Sequence, residues 1–305
     1  MEETSATLAD ALELQPKASA WLRIGRLIRD NPLAFFGVLV VLVLAIAAIF
    51  APLIAPFEPD ELAAGPRNLN PTLRHPFGTE DLGRDMFSRV VFGARISLIV
   101  GFASVIFGTV IGTVMGITSG YAGGLLDTIT QRIVDLAIAF PALLLLLILR
   151  QVLGPSVQTL IIAIGIAIVF PITRIVRGAV LSERNNQYVE AAKALGATTP
   201  RILFIHIAPN IAALSIIIAT TLLGTAILAE AALAFLGLGI PEGQEFLGAP
   251  AVTWGKDVAR ARNSFPVHIW WAFFPGLAIT LTVLGFNLLG DGLRDIFDPR
   301  LRGRL

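Results

Sequence analysis

The chain has 305 residues, 55% of them hydrophobic and only 15% charged, with a net charge of +1. A soluble domain needs roughly 25% charged residues to solvate its surface, so a water-soluble globular enzyme is excluded, and so is a disordered chain. The absence of cysteine excludes thiolate chemistry, iron–sulfur clusters and Cys-based zinc sites, three histidines argue against a His-rich metal cluster, and the near-zero charge gives no sign of nucleic acid.

Residues 1–30 read as a cytoplasmic tail. Its stretch 21–29 carries Arg23, Arg26 and Arg29 at helical spacing. That suits either an amphipathic helix on an anionic membrane surface or a plain solvated tail. The uncharged run 31–57 follows, long enough to cross the roughly 30 Å hydrocarbon core as a first transmembrane helix. It is too long for the apolar region of a signal peptide and reads as an uncleaved helix. Residues 58–95 read as an extracytoplasmic segment that opens as an irregular loop. From His75 onward, charged and apolar residues alternate with a rough helical period, so a re-entrant or interfacial helix leading into the second span is expected. His75 with Glu80, Asp81 and Asp85 reads as a surface network or, alternatively, as metal ligands.

The rest, 96–290, forms the core. Uncharged runs at 96–126, 151–173, 202–229 and 263–290 each allow one crossing, and a shorter one, 136–149, lies between Asp135 and Arg150. With Arg150 snorkelling to an interface, that run also spans. The six expected spans are 33–55, 96–118, 132–152, 157–175, 209–232 and 268–290. Ser104, Gly108, Gly112, Gly116 and Gly120 stand four apart in the second span. Such a stripe lets another backbone approach closely and marks a buried helix face. Asp135 and Glu230 sit near span ends, where capping or pairing is a better reading than a proton relay. Placing both termini in the cytoplasm puts 14 Lys and Arg inside and 9 outside, as the positive-inside rule prefers. Then 176–208 is a cytoplasmic loop, 233–267 an extracytoplasmic one and 291–305 a cytoplasmic tail.

No catalytic constellation stands out. There is no Gly-x-Ser-x-Gly or His-Glu-x-x-His, and Gly255-Lys256 is followed by Asp257 rather than by the Ser or Thr of a phosphate-binding loop. The most informative stretch is 187–210. A short helix is expected over 187–195, with Gly196 free to take a left-handed stop and Pro200 in the first turn of the next helix. Small side chains at Ala191 and Ala192 would let that helix sit in a partner's groove, with Glu190 as an anchor. The plain alternative is a connector between two spans.

The pattern Glu190-Ala191-Ala192, then Gly196, His206 and Pro209, resembles the cytoplasmic coupling loop of permeases of ATP-driven (ABC) importers. His75-Pro76-Phe77-Gly78-Thr79, Gly83-Arg84-Asp85, Gly93-Ala94-Arg95-Ile96-Ser97-Leu98, Gly120-Tyr121-Ala122-Gly123-Gly124, Phe235-Leu236-Gly237-Leu238-Gly239 and Asn287-Leu288-Leu289-Gly290-Asp291-Gly292 are similar to segments of the dipeptide/oligopeptide/nickel permeases. The short tail and Asp298-Pro299-Arg300 resemble the C-type subunit, and the resemblance covers about 20–302. The stretch 241–252 is longer than the family's usual link before Trp254-Gly255. The resemblance implies an all-α type I importer fold with six transmembrane helices. It also implies a homologous second permease, two cytosolic ATPases that bind the ATP and Mg, and an extracytoplasmic solute-binding protein, in a bacterial or archaeal cytoplasmic membrane. No cofactor or metal is expected in this chain. The expected cargo is a di- or oligopeptide, with nickel or another small solute as the alternative. A secondary carrier is the rival of another class, and it would show an inverted repeat with broken helices and mid-membrane charge.

Overall fold

The computed structural model describes residues 31–262, 264–265 and 267–297. The expected amphipathic stretch 21–29 and the segment 298–305 lie outside the described residues. Helix α1 (Pro32–Ile49) opens with proline in its first turn, where no backbone donor is lost, and a single turn, α2 (Ala51–Ile54), follows. The next long helix, α3, runs Met86–Ala122. At 1.5 Å per residue it is about 55 Å long, well beyond the thickness of the hydrocarbon core. Then come α4 (Gly124–Ala139), α5 (Ala142–Leu153), α6 (Val157–Glu183) and the short α7 (Gln187–Ala194). A helical turn, α8 (Thr199–Arg201), leads through a π-helical stretch (Ile202–Ile207) into α9 (Ala208–Phe235). Helices α10 (Trp254–Ala261) and α11 (Trp270–Phe297) are the last of the described elements. Among the described residues, five helical segments are long and apolar enough to cross a membrane, and the α4–α5 pair makes a sixth if it counts as one bent span.

The glycine stripe sets the central contact. A Cβ at Gly108, Gly112 or Gly116 would meet Ile168, Ile172 or Val176 of α6 within 2.9 Å. The backbone carbonyls of Gly165, Val169 and Thr173 lie as close. Packing this tight supplies dispersion contacts where, in lipid, no hydrophobic effect favours one helix partner over an acyl chain. Both sets of partner residues ascend along the chain, so α3 and α6 are parallel. The chain between them therefore returns across the membrane. From the register, the start of α6 is level with residues about 25 positions before the end of α3, a return of about 38 Å. The α4–α5 pair makes that return.

It does so with a bend of 98° rather than as one straight helix over 132–152. Proline 141 supplies no backbone donor and drives the preceding residue out of the helical region, and Phe140 is accordingly extended (φ −78°, ψ 137°). Arg177 of α6 holds Asp127 of α4 through Nε–Oδ1 (2.5 Å) and Nη2–Oδ2 (2.6 Å). Arg174 donates to Asp135, so Asp135 is a paired group. Glu230, expected to cap or pair, does neither. It is fully buried on α9, and neither carboxylate oxygen has a partner among the described residues.

Two further expectations are corrected. Residues 77–85 form no helix. Gly78 and Gly83 both take φ near +75°, Thr79 bridges Asp85 in an antiparallel pair, and Asp85 starts α3 as its N-cap by accepting from the Ser88 amide at 2.7 Å. Charged Arg89 and Arg95 thus belong to α3 itself. Arg150 does not snorkel. It is 2% exposed and turns inward, donating to the carbonyls of Leu238 (2.9 Å), Gly239 (3.0 Å), Gly154 (2.5 Å) and Ser156 (3.0 Å) and to Thr159 Oγ1 (2.5 Å). The guanidinium ties the α5–α6 link to the end of α9. The long stretch 241–252 holds a two-stranded hairpin, Glu245–Phe246 with Ala249–Pro250, turned by Leu247 (φ 52°) and Gly248 (φ 72°). Positive φ at both turn residues matches the strand twist, which explains the glycine and makes Leu247 a strained choice.

Candidate functional site

Helix α7 lies at the end of α6, on the side where α3 ends and α9 begins. The sequence builds it from local rules. Leu195 closes the helix, and Gly196 takes φ +79°, which an L side chain adopts only with strain. Its amide donates to Lys193 O (3.0 Å), and the Ala197 amide to Ala192 O (3.0 Å). These two reversed bonds satisfy the last carbonyls of α7 and stop it.

Packing decides which face is free. Val189 and Ala192 are buried in the core cluster that also contains Ile202 and Ile207. Glu190, Ala191 and Gly196 are exposed, and Leu195 is 89% exposed. Of the three small or acidic positions singled out in the helix, Ala192 therefore serves internal packing, while Glu190 and Ala191 face outward. Polar contacts fix the helix in place. Tyr188 donates its hydroxyl to Glu183 and accepts from Asn210 Nδ2 at 2.9 Å. Burial, with the Glu183 carboxylate, pushes the Tyr188 phenol up from its ordinary value, so it remains a donor. The Lys193 ammonium sits 5.6 Å from the centre of the Tyr121 ring at the end of α3.

Beyond Gly196, Pro200 falls in the first turn of α8 and Pro209 in that of α9. The helix runs through Pro209 only because the turn before it is widened. The Ala208 amide bonds to Leu203 O, five residues back, a π-type step that relieves the crowding proline causes. His206 lies in this π-turn, half-buried, its ring tilted beside Tyr188 at 6.3 Å. Glu190, Ala191 and Gly196 are thus all exposed at this end, while His206 is half-buried beside Tyr188 and Pro209 is exposed at the start of α9. Gly108, Gly112 and Gly116 lie elsewhere, in the α3–α6 contact, and Gly120 approaches Val180 near the same end of the bundle.

The opposite end holds a polar cluster that sequence reasoning did not assemble. Arg89, 1% exposed, donates to Asp257 Oδ1 of α10 from Nε (2.9 Å) and Nη2 (2.5 Å), and from Nη1 to Asp60 (2.9 Å) and Pro59 O (2.8 Å). Trp254, fully buried, lies over Gly93 and donates from Nε1 to Val90 O at 2.8 Å. His75 does not join Glu80 and Asp81. Its Nδ1 pairs with Asp85 at 2.8 Å and its ring stacks on Phe57, while Glu80 is held by Arg84 and Asp81 is exposed. Two of the four, His75 and Asp85, hold each other, and Glu80 and Asp81 face arginines instead, so the four are not directed at one ion. The only sequence signal for this cluster was a cation at 89 just ahead of an apolar run, and its partner stands 168 residues away.

Comparison with known proteins places this architecture. Residues 108–303 match the family of binding-protein-dependent transport system inner membrane components, and 19–71 match the N-terminal transmembrane domain of oligopeptide transport permease C. The chain belongs to this permease family. It is 42% identical over 288 residues to the dipeptide transport system permease protein DppC of Alkalihalophilus pseudofirmus, covering 93% of this chain and 91% of that protein. It is 39% identical over 302 residues to the oligopeptide transport system permease protein OppC of Bacillus subtilis, covering 99% and 97%. The glutathione transport system permease protein GsiD of Escherichia coli is 40% identical over 285 residues, covering 93% and 91%. The permease is a multi-pass membrane protein, and the main family match takes in everything from the middle of α3 onward, including α7 and its exposed face.

Proposed function

We propose that this chain is one transmembrane subunit of an ATP-driven importer of di- or oligopeptides. A solute-binding protein delivers the peptide on the side of the 56–85 segment and α10. A homologous permease completes the pore. Two cytosolic ATPases, which carry the ATP and Mg, dock on the exposed face of α7 through Glu190, Ala191 and Gly196. Both termini then lie in the cytosol of a bacterial or archaeal cell. This chain makes and breaks no bond.

The observation that carries the reading is α7 itself: a short, capped helix with Glu190, Ala191 and Ala194 turned outward, bound to three long helices. Closure of an ATPase pair would move it, and through Tyr188–Asn210, Lys193–Tyr121 and the buried Val189 that movement would reach α9, α3 and α6 together. The names of the three relatives given above, a dipeptide, an oligopeptide and a glutathione permease, support the cargo class. Deleting the subunit should make cells resistant to a toxic peptide and unable to use a required amino acid supplied as a peptide. Intact peptide uptake in the deletion strain would refute the cargo assignment.

A further inference from the structure

The end of the bundle opposite α7 contains two adjoining cavities. One, of about 530 Å³, is lined by Arg150, Gln151, Gly154, Gly237, Glu242 and Lys256. The other, of about 520 Å³, shares Gly237, Glu242 and Lys256 and adds Asp81, Arg260 and Arg262. Together they are the size of a site for a small organic ligand. Their charge is not balanced. Four cations line the cavities with two carboxylates, and both carboxylates are answered by one cation that also reaches buried Glu80: Arg260 bonds Glu242, lies 3.4 Å from Glu80 and 3.7 Å from Asp81. Arg262 rests on the Phe235 ring, 5.5 Å from its centre. Arg150 is bonded to four carbonyls and a hydroxyl, all uncharged. Lys256 lines both cavities and makes no ion pair among the described residues.

A buried cation held only by neutral groups keeps a strong field in a low-dielectric recess. Arg150 supplies that field at one wall, and Lys256 stands in it with free donors. Burial, aided by Arg89, pulls the Lys256 ammonium down to about 8, which leaves it mostly charged at neutral pH. The recess thus offers an excess of cationic side chains, opposed at Lys256 by Asp257 and Asp60, and one ammonium without an ion pair to the side from which solute would arrive.

We propose that this recess is a carboxylate site for the transported solute, in which Lys256 binds the C-terminal carboxylate of an entering peptide and Arg150 and Arg262 supply the surrounding positive field. The proposal rests on the peptide-importer reading. It gives the permease its own contact with cargo and predicts a preference for free over amidated C-termini.

The test uses the complete transporter in proteoliposomes with trialanine and trialanine amide. In the K256Q variant the KM for trialanine should rise about tenfold while that for the amide stays unchanged, and K256R should restore much of the difference. Independently of transport, trialanine but not its amide should protect Lys256 from acylation by an amine reagent, read by mass spectrometry of the labelled peptide. Equal effects of K256Q on both peptides, or none, with no selective protection, overturn the proposal. If K256Q instead weakens the response to the solute-binding protein equally for both peptides, the recess receives an acidic group of that protein and the proposal is again overturned. If wild-type transporter moves neither peptide yet trialanine protects Lys256, the carboxylate site stands and the peptide-import reading falls.

Discussion

Replacing Gly112 by alanine tests whether the α3–α6 contact governs the fold. The new Cβ would stand 2.7 Å from Ile172 Cγ2, 2.7 Å from Val169 O and 2.8 Å from Ile172 Cβ. Ordinary van der Waals contact begins near 3.4 Å, so the helices must part by roughly 0.7 Å, and one obstacle is a backbone carbonyl that no rotamer change can move. A gap of that size forfeits a quarter to a half of each dispersion well along the seam. Overpacking costs about 1–3 kcal/mol, and the backbone obstacle places this site near 3. The gain in helix propensity from Gly to Ala returns about 1 kcal/mol, leaving a net loss of about 2. Gly178, on the same helix α6, is exposed, and a Cβ added there would meet nothing within 4 Å, so Gly178→Ala should gain about 1 kcal/mol. The pair should therefore differ by about 3 kcal/mol in SDS-titrated unfolding of purified protein, followed by circular dichroism. A Gly112→Ala protein at least as stable as Gly178→Ala would refute the close-approach argument.

Gly196→Val forces a β-branched residue to φ +79° and should leave the protein inserted while uncoupling ATP hydrolysis from uptake; normal coupled transport would reduce α7 to a connector. Arg150→Met strands the carbonyls of Gly154, Ser156, Leu238 and Gly239 and should cost about 3 kcal/mol of stability in the same SDS titration. Lys256 has a folded pKa of about 8 against an ordinary 10.5, set by burial and Arg89, opposed by Asp257 and Asp60, with Arg84 reinforcing Arg89. Between those values the unfolded chain binds the extra proton, so stability should rise as pH goes from about 8 to 10.5, and Lys256→Met should remove that rise in thermal melts. Single cysteines at Leu62 and Leu247, both exposed at the end opposite α7, should react with an impermeant thiol reagent on intact cells, and one at Leu195 should not.

Much of this protein is written locally. Crossing segments show in the sequence because an ionised side chain in hydrocarbon is costly, so charges retreat to the ends of each span. The stop of α7 is equally local: left-handed φ at Gly196 needs no distant partner. The glycine period in α3 announces a close helix contact, although it leaves the partner unnamed. Tertiary structure decided the partner, since only the register of Gly108 to Gly116 against Gly165 to Thr173 makes α3 and α6 parallel. It also turned Arg150 inward. An arginine between two apolar runs reads as snorkelling until the carbonyls of Leu238 and Gly239, from a segment 88 and 89 residues away, are found to surround it. Arg89 and Asp257 meet for the same kind of reason, 168 residues apart. Propensity and periodicity act within a few turns of chain, whereas the pairing of buried charges depends on which helices pack side by side. The recess at Lys256 exists only because α5, α9 and α10 converge there.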